Sequence, residues 1–140
     1  MPTPFVHRHR VRYRECDAQG VVFNANYLAF IDDAFVELYR SAFGEPTGLG
    51  ALGLDTMVVD AHLAWRSPTR FDDVLDIGME IVRFGRTSQT TAFTIGVGER
   101  VVADGEIVHV YVDASLGKVE VPESVQDALA SVIHVRPPDR

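Results

Sequence analysis

NYLAFIDDAFVELYRSAF, residues 26–43, is where the period of the chain changes. Tyr27, Phe30, Ile31, Ala34, Phe35, Leu38 and Ala42 recur at steps of three and four, the spacing that lines up side chains on one face of a helix. The stretch therefore predicts a single amphipathic helix with an aromatic buried face, stopped by Gly44, with Pro46 barring its continuation.

Downstream of that helix the pattern is extended. Residues 45–55 are Gly-rich and read as a loop with a short helical turn at 49–52. Four strand-like runs follow at 56–66, 74–84, 87–97 and 100–113, separated by the turn-like SPTRFDD, FGR and GER. A short run at 117–121 precedes Pro122 and a helical pattern over 123–133, with Val125, Leu129 and Val132 on one side. Upstream, residues 5–14 alternate, Val11 and Tyr13 facing one way and Arg10, Arg12 and Arg14 the other, as in a half-buried strand. One strand, one long helix, then consecutive strands predict an α+β fold, with an antiparallel sheet of five or six strands curled around the helix.

The 140 residues suit a single domain, 1–140, with a core at about 5–122 and a frayed tail at 134–140. A formal net charge of -7 repels polyphosphates, so no nucleic-acid partner is expected. The one dense basic cluster, HRHRVRYR at 7–14, carries its charges at alternate positions, as one face of a strand does. A lone cysteine, Cys16, excludes an internal disulfide, and without a CxxC pair no thiolate metal site is expected. No run of 18 apolar residues occurs, so no membrane insertion is expected and the protein reads as cytoplasmic.

The chemistry-bearing stretch is RECDAQGVVFNANY, residues 14–27. Asp17 stands ahead of a helix, where aspartate is ordinarily a turn or cap residue. Its neighbours suggest more. Gly20 allows a tight turn, and the helix start near Asn24 offers unpaired N–H groups and a partial positive charge that suit an oxyanion. An acid beside such donors is a sufficient kit for acyl transfer to water.

The run Tyr13, Asp17, Gly20, Val21, Val22, Phe23, Asn26, Tyr27, Phe30 and Ala34 resembles the signature of the hotdog-fold acyl-CoA thioesterases, the group containing 4-hydroxybenzoyl-CoA thioesterase and the YbgC-like enzymes. SPTRFDDVLDI at 67–77, FGRTS at 84–88, ADGEIVHVYVD at 103–113, and GK followed by VP at 117–122 extend the resemblance over about residues 7–122. It implies a hotdog fold, a homodimer or homotetramer with edge-to-edge pairing, an acyl-CoA substrate, and no cofactor beyond the coenzyme A of that substrate. It also implies that Asp17 is the catalytic carboxylate, as nucleophile or general base, and that the Asn24 N–H polarises the carbonyl. The chain departs from the YbgC-like pattern in carrying Asn24 where histidine is common, and Glu15-Cys16 in place of Asp-Thr.

Phe23, Tyr27, Leu28 and Ile31 are candidates to line the acyl pocket, and Arg66, Arg70 and Arg86 to meet coenzyme A phosphates, with Ser88 beside them. Each arginine reads equally well as a solvated surface residue. His62 and His109 read as satisfied sheet residues, His7 and His9 as solvent-facing, and Cys16 as a small buried residue on the face opposite Asp17. Asp32 and Asp33 suit the helix dipole, and Glu37 ranks behind Asp17 as an alternative acid. A hotdog module that binds acyl-CoA or an acyl-carrier-protein thioester without hydrolysis is the alternative. A dehydratase calls for a histidine near Asp17, and the sequence has none there.

Overall fold

The periodic stretch forms helix α1 (Asn26–Phe43), and Gly44 closes it at φ 81°, a left-handed cap that costs glycine little. Tyr27, Phe30, Ile31, Ala34, Phe35, Leu38 and Tyr39 are buried along one face. Burying each large side chain contributes on the order of 2 kcal/mol. The exposed Arg40–Glu37 pair on the outer face, at 3.2 Å, adds only about 0.3 kcal/mol. The apolar stripe fixes the position of α1.

The computed structural model describes residues 5–138. Around α1 it places strands β1 (Phe5–Arg10), β2 (Asp55–Trp65), β3 (Val74–Phe84), β4 (Ser88–Val97) and β5 (Arg100–Val112), and it ends with helix α2 (Glu123–Ala130). The sheet order is β1-β3-β4-β5-β2, with every neighbour antiparallel. On β3 the period of two buries Leu75, Ile77, Met79 and Ile81 and turns Asp76, Gly78 and Glu80 outward. Those four join Phe93, Ile95, Ile107 and Tyr111 in one core cluster with the α1 stripe. This is the hotdog arrangement: five curved antiparallel strands around one long helix. β5 crosses β2 so closely at Gly105 that a Cβ there would overlap the His62 carbonyl and meet the Phe93 ring.

Several boundaries differ from the sequence expectations. The strand expected over 5–14 stops at Arg10. Val11 turns into the core, its N–H donating to the Asp73 carbonyl at 2.8 Å, and Tyr13–Glu15 form a 3-10 turn. The Glu15 carboxylate accepts the Arg12 N–H at 2.6 Å, so local capping ends the strand. Tyr13 is consequently exposed and does not share a face with Val11. His9 is not solvent-facing either. Its ring lies 4.3 Å from that of Phe30, and its Nε2 stands 2.8 Å from Glu15 Oε1.

The run at 117–121 makes only an isolated bridge, Val112 with Lys118. Helix α2 ends at Ala130 and is followed by a turn, so the pattern expected through 133 is shorter by three residues. The tail is tied down through Arg136. Val135 forms a parallel bridge with Ile81, the Arg136 N–H donates to the Ile81 carbonyl at 2.8 Å, and its guanidinium pairs with Glu80. Residues 139–140 lie outside the described residues. Among the described residues no helix is long and apolar enough to cross a membrane.

Candidate active site

Asp17 opens a tight turn. Its carbonyl accepts the Gly20 N–H at 3.0 Å and its N–H donates to the Val21 carbonyl at 2.9 Å, while Cys16 bridges Val22. Gly20 closes the turn at φ 78°, a conformation that other residues resist. One carboxylate oxygen, Oδ1, accepts the Gln19 N–H at 2.8 Å. Oδ2 makes no hydrogen bond among the described residues. The acid is thus held on one side and open on the other.

The turn is fastened to the start of α1 by a single carbonyl. Glu15 O accepts the Phe23 N–H at 3.0 Å and the Asn26 side-chain Nδ2–H at 2.8 Å. Asn26 and Tyr27 N–H groups are already spent on the Phe23 and Asn24 carbonyls. The N–H groups of Asn24 and Ala25 have no partner in the chain among the described residues. These are the orphan donors that a helix start leaves over.

Asp17 and Gly20 line one recess of about 380 Å3 with Tyr13, Cys16, Ala18 and Phe71. The rings of Tyr13 and Phe71, 81% and 57% exposed, stand edge to face 6.0 Å apart at its wall. Large apolar surfaces left open beside an acid suit an apolar ligand. Arg70 joins this end of the molecule, bridging Val21, with its guanidinium exposed. Tyr27 is almost fully buried, its hydroxyl 2.6 Å from Thr69 Oγ1, and lines a neighbouring recess with Val21, Trp65 and Arg66. Phe23 is half exposed and Asn24 exposed, both outside these two recesses.

Not every candidate gathers here. Arg86 and Ser88 belong to the β3–β4 turn, and the eleven residues of β3, about 36 Å of extended chain, separate that turn from Arg70 and Asp17. Arg86 pairs there with Glu120 at 2.8 Å. Arg66 is held by Asp104 through two hydrogen bonds of 3.1 and 3.2 Å. Glu37 faces Arg40 and lies in a different groove, with Phe5, His7 and Ser41. His62 is exposed beside Asp60. Cys16 shares the recess of Asp17, since the 3-10 turn at 13–15 breaks the alternation that was expected to separate them.

His109 is a correction of another kind. It is buried against Phe35, ring centroids 4.5 Å apart, yet its Nδ1 has no hydrogen-bond partner among the described residues, so it is not a satisfied sheet residue. Burial pushes its pKa down to about 4. Sequence reasoning placed Asn26, Thr69 and Phe71 within matched motifs but gave them no role of their own. An asparagine in the first turn of a helix is a visible signal, but its target, a carbonyl 11 residues back, is not.

Residues 11–129 match the model of the thioesterase-like superfamily. The acyl-CoA thioester hydrolase YbgC of Escherichia coli is 31% identical over 105 residues, 74% of this chain and 78% of its own. A 1,4-dihydroxy-2-naphthoyl-CoA hydrolase of Nostoc punctiforme is 28% identical over 123 residues, 86% of this chain and 83% of its own. The crystal structure of a hypothetical protein from Aquifex aeolicus superposes with a TM-score of 0.85 at 27% identity, over 90% of this chain and 99% of its own. The matched span takes in the Asp17 turn, the whole of α1 and every strand after it, and the chain belongs to the thioesterase-like superfamily.

Proposed function

We propose that the protein hydrolyses an acyl-CoA thioester to a carboxylic acid and free coenzyme A, with Asp17 as the reacting carboxylate. Family membership and the names of its relatives make it a thioester hydrolase. The observation that carries the role of Asp17 is its half-anchored carboxylate, one oxygen fixed by Gln19 and the other open, on a recess walled by exposed aromatic rings. The carboxylate either attacks the thioester carbon, giving an anhydride that water then cleaves, or takes a proton from the water that attacks. In both routes negative charge grows on the carbonyl oxygen, and the free N–H of Asn24 is the donor that receives it. The thiolate of coenzyme A leaves, and no cofactor takes part.

The substrate reaches beyond one subunit in this reading. Phe23 and Tyr27 flank the acyl group, and Arg70 meets the nucleotide as a fixed positive charge. Arg86 and Ser88, remote from Asp17 in their own subunit, contribute only when a second copy brings them across. The exposed edge of β2, with Met57, Val58 and Val59 open to solvent, supports edge-to-edge pairing into a homodimer. The cytoplasm, where a single thiol such as Cys16 stays reduced, is the compartment we assign.

Thiol release from a panel of acyl-CoA thioesters tests the assignment. Asp17→Asn is expected to lower kcat at least 100-fold while the circular dichroism spectrum and unfolding midpoint stay unchanged. Wild-type turnover in a folded Asp17→Asn protein would refute it.

A further inference from the structure

The contact between His9 and Glu15 plays no part in the cleavage as described, yet it lies beside the acid-bearing turn. His9 Nε2 stands 2.8 Å from Glu15 Oε1 and 3.1 Å from Oε2, and the two side chains are only 16% and 15% exposed. A carboxylate only accepts, so the proton of this contact sits on Nε2. The His9 ring lies against Phe30 of α1, and its backbone is paired with Leu75 of β3. Sheet and helix together fix where the donor points. Neither side chain lines the Asp17 recess, so the pair meets no substrate there.

Glu15 connects the two groups that must close on one thioester carbon. Asp17 follows it by two residues of chain. Its carbonyl accepts the Phe23 N–H at 3.0 Å, one residue before the Asn24 N–H, and the Asn26 side chain at 2.8 Å. The acid is thus referred to Glu15 through the chain, and the donor through a hydrogen bond. Among the described residues the Glu15 carboxylate has two partners, the Arg12 N–H at 2.6 Å and His9. Arg12 belongs to the same local turn, so of the two only His9 ties Glu15 to a strand. The exit of the turn is tied separately, the Val22 N–H donating to the Thr69 carbonyl at 2.8 Å. A half-buried carboxylate that loses its donor is under-satisfied and turns toward water, carrying its backbone with it. A misplacement of about 1 Å can cost on the order of 100-fold in rate.

We propose that His9 and Glu15 are positioning residues: the bond from His9 Nε2 to the Glu15 carboxylate holds the entry of the Asp17 turn against the sheet, and so sets the spacing between Asp17 and the Asn24 N–H. The proposal rests on the thioesterase reading for the reaction that this spacing serves. Neither residue touches the substrate.

Steady-state thiol release from acyl-CoA thioesters, with amide exchange at Phe23 followed by NMR, tests it on the full chain. His9→Phe keeps a ring over Phe30 and loses the donor. It is expected to lower kcat about 10- to 30-fold with KM within about twofold, and to speed Phe23 exchange about tenfold. His9→Gln returns an N–H at about the place of Nε2 and is expected to recover most of both losses. The double variant His9→Phe with Glu15→Ala is expected to lose no more than Glu15→Ala alone, since either change removes the same bond. If His9→Phe does not fold, Glu15→Asp carries the test, because its shorter side chain draws the carboxylate off the ring, and the same fall in kcat is expected. A kcat within about threefold of wild type beside a lowered unfolding midpoint makes the pair structural only and overturns the proposal. So do additive losses in the double variant, and so does a His9→Gln protein as impaired as His9→Phe. A wild type that releases no thiol sinks the thioesterase reading, while faster Phe23 exchange in His9→Phe alone still leaves the anchor of the turn standing. Turnover that is indifferent to His9 does the reverse.

Discussion

Asn26 occupies the first turn of α1 and spends its side chain backwards, on the carbonyl of Glu15 at 2.8 Å. That bond ties the acid-bearing turn to the helix start, and its loss leaves Glu15 O to the Phe23 N–H alone. Asn26→Ala is expected to cost about 1 kcal/mol of stability. It should lower kcat roughly 10- to 100-fold through misplacement of the reacting groups, with KM little changed. Steady-state kinetics decide the matter: unchanged kcat beside a lowered melting temperature would make Asn26 structural only. The turn from Asp17 to Gly20 was legible in the sequence because a turn is a local event, with glycine supplying the positive φ. What Asn26, Thr69 and His109 touch was not legible, because each meets a partner that only the folded chain brings near. Of the Glu15-Cys16 departure, Glu15 acquires a local role. Glu15 caps Arg12 and meets His9, a half-buried contact that a shorter acid would not span in the same way.

At the scale of elements, α1 and β3 took the bounds that their periods predicted, since a helix stripe and a buried strand face are written residue by residue. The first strand was misjudged because arginines at alternate positions mimic a strand after the chain has already turned at Val11. β2 is the element whose sequence hints at something beyond its own subunit. Most of its residues are exposed, and Val58 is 48% exposed on the open edge of the sheet. Such an edge either pairs or aggregates. Light scattering on the wild type is expected to give at least twice the 15.5 kDa chain mass. The double substitution Val58→Lys with Val59→Lys, which sets like charges against each other across the edge, is expected to return it to the monomer mass. A monomeric wild type would remove the dimer from the proposed mechanism.

For the molecule as a whole, His109 couples folding to pH. Its pKa is about 4 when folded and about 6.5 when unfolded. Below pH 6.5 the unfolded chain takes a proton that the folded chain refuses, so stability falls as pH drops from 6.5 to 4. Above 6.5 His109 has no effect. The loss approaches about 3 kcal/mol at the low end. Asp32, raised by burial first and by Asp33 second, works in the opposite sense, favouring the folded state as pH falls. Urea unfolding at pH 7 and pH 4.5 is expected to show His109→Phe losing about 2–3 kcal/mol less than the wild type over that interval. Parallel losses would mean that the His109 ring is solvated. The sheet has one further property at this scale. β3 receives β1 along half its flank, Phe5 opposite Met79, and the tail just past it, Val135 opposite Ile81. These remote segments of the chain meet two residues apart on one strand, about 7 Å. A short linker from Val135 to Phe5, with new ends cut at the Gly98 turn, is expected to give a circular permutant that keeps the circular dichroism spectrum of the parent, because every strand retains the neighbours it has now.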